Sequence, residues 1–84
     1  MNASDVENGL RTFIVQQLGW HGQELTSDLS LIENQVIDSL GIFEIVNHLE
    51  AQYNVEIGDE DLVPDNFETL DALARLVVAK SQAP

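Results

Sequence analysis

Ser39 follows Asp38 and precedes Leu40, where a loop-like stretch gives way to helical spacing. A serine hydroxyl in that place has two chemical uses, as a nucleophile or as a point of covalent attachment. The first use lacks support. Neighbours in sequence cannot form a base–nucleophile pair of the triad kind, so Asp38 does not activate Ser39. His21 and His48 are the only imidazoles, and two of them make a poor metal ligand set. The run Asp59-Glu60-Asp61 could attract a hard cation weakly, but it lacks the glycine and terminal glutamate of an EF-hand loop, and a solvated acidic turn is expected instead. No glycine-rich phosphate loop is present. With no cysteine, the chain has no thiol of its own, no disulfide and no thiolate-bound zinc. A small hydrolase or a metal protein would need a constellation that this sequence does not contain.

The second use fits the surroundings of Ser39. A phosphate attached there would lie at a helix N-terminus, beside unpaired backbone N–H groups and the positive end of the helix dipole. A simpler reading stands beside it: Asp38 and Ser39 are both good N-caps and could do nothing more than start the helix.

The elements that must position this serine follow from the apolar spacing. Val6, Leu10, Phe13, Ile14 and Leu18 form one stripe, which predicts a first helix over residues 4–18. Ser4 is expected to cap it in a capping box with Glu7, and Gly19 to stop it. Periodicity is lost from Trp20 to Asp38. Leu25, Leu29, Leu31 and Ile32 are scattered through that stretch, which predicts a long loop packed on the core. The second helix starts at Asp38 or Ser39 and ends at Asn54. Its inward stripe is Ile42, Ile45, Val46, Leu49 and Tyr53; Glu44, Asn47, His48 and Glu50 are expected nearer solvent. Val55 and Ile57 alternate with Glu56 but have no strand partner, so they read as an extended linker. Residues 59–63 read as one helical turn that Pro64 ends. Thr69 caps a last helix running to about Lys80, with Leu70, Leu73, Leu76 and Val77 inward. The tail 81–84 reads as frayed.

These elements make an all-α fold: a small four-helix bundle of three main helices and a short one before the last. One domain spans residues 1–84, ordered roughly over 4–80. Fifteen acidic residues against three basic ones give a net charge of −12. Nucleic acid and anionic membrane surfaces would be repelled, whereas a basic protein partner would be steered in. Acidity of this kind also keeps a small protein soluble. No stretch approaches the length of a membrane span, and the first residues lack the pattern of a signal peptide. A cytoplasmic monomer is the expectation.

Residues 29–70 resemble the acyl carrier protein family, also called phosphopantetheine-binding or thiolation domains. The resemblance rests on Leu29-Ser-Leu-Ile32, on Val36-Ile-Asp-Ser-Leu-Gly-Ile-Phe-Glu-Ile-Val46, on His48-Leu-Glu50, on the Asp59-Glu60-Asp61 turn and on Asn66-Phe67-Glu-Thr-Leu70. It implies a carrier, not an enzyme. Ser39 would receive 4′-phosphopantetheine from coenzyme A through a phosphopantetheinyl transferase, and the arm's thiol would hold an acyl or aminoacyl thioester. Asp38 matches the motif aspartate, placed against the transferase's magnesium site, and Leu40 the motif leucine. The second helix would be the recognition helix, with Leu40, Phe43, Glu44, Asn47 and Glu50 facing partners. Those partners would be adenylating ligases, acyltransferases, ketosynthases or condensation-type enzymes with basic docking surfaces. Gly41, Asn47 and Ile37 depart from the fatty-acid-synthesis pattern and resemble discrete carriers of polyketide, nonribosomal peptide or related secondary metabolism; D-alanyl and fatty-acid carriers are the alternatives. Outside the family, the same residues read as an acidic interaction module without a prosthetic group. Val63, Phe67 and Leu70, beside Ile45 and Val46, are either ordinary core or the lining of a space for cargo.

Overall fold

Asn2, not Ser4, starts the first helix in the computed structural model, which describes residues 2–81. The Asn2 side chain accepts a hydrogen bond from the Asp5 N–H at 2.9 Å, and α1 runs Ala3–Gln17. The capping box expected of Ser4 and Glu7 does not form. Glu7 is buried and turned sideways, where its carboxylate accepts from the Ser27 hydroxyl and pairs with Arg11. Gly19 adopts a φ of +75°, the left-handed geometry that ends a helix.

α2 runs Ser39–Tyr53, with Asp38 as N-cap and Asn54 in left-handed geometry as C-cap. A 3-10 turn covers Asp59–Asp61. Pro64 does not close that turn. It opens α3, Pro64–Phe67, because a proline in the first helical turn forgoes no intrahelical hydrogen bond and its fixed φ suits the helix. α4 runs Leu70–Ser81, with the Thr69 hydroxyl accepting from the Ala72 N–H at 3.0 Å. Of the tail expected to fray, Ser81 belongs to α4 and the rest lies outside the described residues.

The helices enclose one core. Val6, Leu10 and Ile14 of α1 meet Leu70, Leu73, Ala74 and Val77 of α4; Ile45 and Leu49 of α2 and Phe67 of α3 close it. The Cα radius of gyration is 11.7 Å, close to the roughly 12 Å expected of one compact unit this long. Phe67, Leu70 and Ile45 are ordinary core residues, while Val63 is exposed. Val55 and Ile57 are both buried in an extended linker, as their alternation with a core partner requires.

The long loop between α1 and α2 is anchored at each end of its path. Leu25, Leu31, Val36 and Ile37 are buried, whereas Ile32 is exposed. The Leu31 N–H donates to the Glu68 carbonyl at 2.8 Å, the Asp71 N–H to the Ser27 carbonyl at 3.1 Å, and the Ser30 hydroxyl to Glu68 at 2.7 Å. Trp20 lies half-buried against the core and donates its indole N–H to the Gln23 carbonyl at 3.0 Å. Lys80 of α4 reaches Asp61 at 2.6 Å, so the last helix holds the 3-10 turn as well; the pairing keeps the Asp61 carboxyl below its usual range and raises Lys80.

His48 is half-buried. Its ring stacks on Phe13 of α1, centroids 4.2 Å apart and planes 18° from parallel, and its Nε2 is buried without a hydrogen-bond partner. Helical period alone does not reveal this, because histidine is polar and its aromatic partner stands on another helix. Burial holds the imidazole below its ordinary value. The unfolded chain then takes up a proton before the folded one does, so stability drops as pH falls through about 6.5 and levels off below the folded value. Melting temperature measured between pH 7.5 and 5.5 should show this slope, and His48→Phe, which keeps a ring on Phe13, should remove it; an unchanged slope in the variant would show that other groups titrate there.

Candidate functional site

The site is the first turn of α2 and the end of the loop that feeds it. Val36 and Ile37 are buried, and their N–H groups both donate to the Leu31 carbonyl, at 2.8 and 3.3 Å. Gln35 takes a positive φ of 59°, which turns the chain sharply before this pair. The loop is thus fixed up to the residue before the cap. Asp38 Oδ1 then accepts from the Gly41 N–H at 2.8 Å, which commits that carboxylate oxygen to the helix start.

Ser39 is the first residue of α2 and is exposed. Its side chain faces solvent, and the first-turn amides of Ser39 and Leu40 have no intrahelical carbonyl within reach. A phosphate ester on Ser39 would find these donors and the helix dipole, partly opposed by the Asp38 charge. Leu40, at 74% exposure, and Phe43, at 59%, flank the serine as bare apolar side chains. Glu44 and Asn47 continue the same exposed face. Glu50 does not belong with them: it is half-buried, and its carboxylate accepts from the Ile57 N–H at 2.9 Å, pinning the linker that follows α2. The fold therefore gathers Asp38, Ser39, Leu40, Phe43, Glu44 and Asn47 around one turn and face and draws Glu50 away.

Two sequence peculiarities turn out to be one structural unit. A Cβ placed on Gly41 would lie 3.3 Å from Ile37 Cβ and 3.5 Å from Asp38 Oδ1. Ile37 crowds the space that a side chain at 41 would enter, so a bulky residue before the cap goes with a bare one three residues after it. Nothing in the spacing of the sequence announces this coupling, since position 37 belongs to the loop and position 41 to the helix.

Among the described residues no group of three or more acidic, histidine or cysteine side chains could hold a metal ion. No described helix is long and apolar enough to cross a membrane.

Comparison with known proteins agrees with this arrangement. The family described as "Phosphopantetheine attachment site" matches residues 8–77. An acyl carrier protein of Buchnera aphidicola subsp. Baizongia pistaciae is 37% identical over 57 residues, covering 68% of this chain and 73% of that protein. Another, from Akkermansia muciniphila, is 34% identical over 61 residues, covering 73% and 76%. A solved chain from a structure titled "Crystal structure of FAD-dependent dehydrogenase" superposes with a TM-score of 0.70 at 29% identity, covering 80% of this chain and 96% of that one. The small all-helical bundle with a long packed loop before its second helix is therefore that of a phosphopantetheine-bearing carrier, a protein whose thiol chemistry is supplied by a covalently attached 4′-phosphopantetheine and not by catalytic side chains. The chain belongs to the acyl carrier protein family.

Proposed function

We propose that Ser39 is the residue that bears the arm, and that the chain shuttles acyl or aminoacyl thioesters between partner enzymes of secondary metabolism, in polyketide, nonribosomal peptide or related biosynthesis. The observation that carries the assignment is the exposed hydroxyl at the first residue of α2, on a helix start fixed from both sides by buried Ile37 and the Asp38 cap. In loading, Ser39 Oγ forms a bond to the phosphopantetheine phosphorus as the pyrophosphate link of coenzyme A breaks. The adenosine bisphosphate half departs, and the hydroxyl proton passes to a base on the phosphopantetheinyl transferase. The arm then supplies the thiol that this cysteine-free chain lacks.

The secondary-metabolism reading is supported by the Ile37–Gly41 pairing and by exposed Asn47, where the fatty-acid pattern differs. The relatives named only as acyl carrier proteins also support the broader role, of which fatty-acid carriage is the alternative form. The solved chain that this one spans almost end to end comes from a structure titled as an FAD-dependent dehydrogenase, which supports such an enzyme as a further partner class.

Incubation of the protein with coenzyme A and a broad-specificity transferase, followed by intact-mass measurement, tests the attachment: one phosphopantetheine should be added per chain. Mass spectrometry of the protein from its native host would identify the cargo, and a straight-chain fatty acyl series would overturn the secondary-metabolism reading.

A further inference from the structure

A groove of about 560 Å³ opens at Ser39 itself. Ile32, Ile37 and Ile42 give it an apolar wall, and Gln35, Asp38 and Ser39 line the rest. Ile37 is buried, Ile42 half-buried and Ile32 exposed, so the wall grades from the core out to solvent. Ser39 and Ile42 stand three apart on α2, which makes their side chains neighbours on one face. Ile32 and Gln35 come from the loop. The Gln35 N–H donates to the Ile32 carbonyl at 3.1 Å, closing the tight turn that holds the two residues together. Gln35 keeps its φ of 59°, a conformation that costs an L side chain energy and that glycine would adopt freely. The turn alone therefore does not account for a glutamine at this place.

We propose that this groove seats the first segment of the phosphopantetheine arm, its geminal methyl groups against Ile32 and Ile42 and its first amide hydrogen-bonded by the Gln35 carboxamide. The occupant follows from the tether. Ser39 lines the groove, so a group esterified to it is present there at a high effective concentration. The arm's chemistry also follows the lining in order. Its phosphate falls at the helix start, the dimethyl carbon comes one methylene later, and the first amide comes after that. The isoleucines offer the methyl groups a surface away from water. A carboxamide both donates and accepts, as an amide partner requires. An apolar wall with a few placed polar groups, in a volume between roughly 300 and 1,000 Å³, is the usual make-up of a small-molecule site. Ile32 and Gln35 are thus positioning residues for the arm. The inference rests on Ser39 being the attachment site, and the experiment separates the two.

The full chain should be compared before and after loading, as wild type, Ile32→Ser and Gln35→Gly. Ile32 is exposed, and glycine suits the left-handed turn at 35, so both unloaded variants should fold. In the loaded wild type, NMR should show proton contacts from the arm's two methyl groups to Ile32 and Ile42, and the Gln35 side-chain amide signals should shift on loading. Both variants should weaken or lose the contacts to Ile42. Melting temperature gives a second reading. Loading adds the same phosphate charge to every protein, so the change on loading, compared across the three, isolates the seated segment. The wild type should show the most favourable change. A loaded wild type whose arm touches neither Ile32 nor Ile42 would overturn the proposal, and so would equal changes on loading in all three proteins. Contacts that form only once the arm is acylated would make the cargo the occupant, and concentration-dependent contacts in the unloaded chain would make it a second copy; either result sinks the arm reading. Failure of the wild type to load, or loading that persists in Ser39→Ala, refutes the attachment site and the seat with it.

Discussion

Replacing Ser39 with alanine is expected to abolish phosphopantetheine loading while leaving the fold intact. The hydroxyl is exposed, and the cap of α2 belongs to Asp38, so the substitution removes the acceptor atom and no structural contact. Alanine is also well suited to the first turn of a helix. The change in stability should stay within about 0.5 kcal/mol, as for surface substitutions generally. Intact mass should report zero addition under conditions that convert the wild type fully. Circular dichroism and thermal melting should match the wild type. Asp38→Ala provides the contrast: loss of the cap should cost about 1 kcal/mol while the acceptor hydroxyl remains. An adduct that persists in Ser39→Ala would move the attachment to another residue.

Phe67→Ala is expected to have the largest effect on stability. Phe67 is 2% exposed at the end of α3 and packs in the core with Ile45, Leu70 and Leu73. A buried phenylalanine cut to alanine loses about 3–5 kcal/mol through lost transfer energy and the cavity left behind. Domains of ordinary size hold only about 5–15 kcal/mol in total, and one this small, without disulfide or metal, belongs at the lower end. The variant should therefore be largely unfolded or melt far below the wild type in a denaturant titration followed by circular dichroism. Phe43→Ala removes the same side chain from a site 59% exposed and should leave the midpoint almost unchanged. If the two variants melt alike, the division of the two phenylalanines between core and surface is wrong.

That division could be seen in the sequence because Phe43 falls off the α2 stripe. The bounds of α2, the cap at Thr69, the stop at Gly19 and the packed character of the long loop were legible for the same kind of reason: each depends on residues adjacent in sequence, through spacing, capping or left-handed geometry. Ser4 and Glu7 satisfied every local rule for a capping box, yet Glu7 is drawn to Ser27 and Arg11, a competition that only the folded loop creates. Pro64 was legible as punctuation but not in direction, since proline stops the helix before it and favours the helix after it equally well. His48 and Glu50 looked solvent-facing by period. Phe13 takes the first and the Ile57 amide the second, both across element boundaries. At the site, Ser39 and its neighbours were legible as a motif. The coupling of Ile37 to Gly41 was not, because it is a steric relation between a loop and a helix.

The place of Trp20 sets what the molecule will report about itself. It is the chain's one tryptophan, held in the loop by its bond to Gln23 and resting against the core. Its fluorescence will therefore follow detachment of that loop from the bundle, well before or together with global melting. Emission will stay silent to a modification of Ser39 that leaves the loop seated, and a spectral change on binding a tryptophan-free enzyme would mean that the loop, and not only the recognition helix, is contacted or moved.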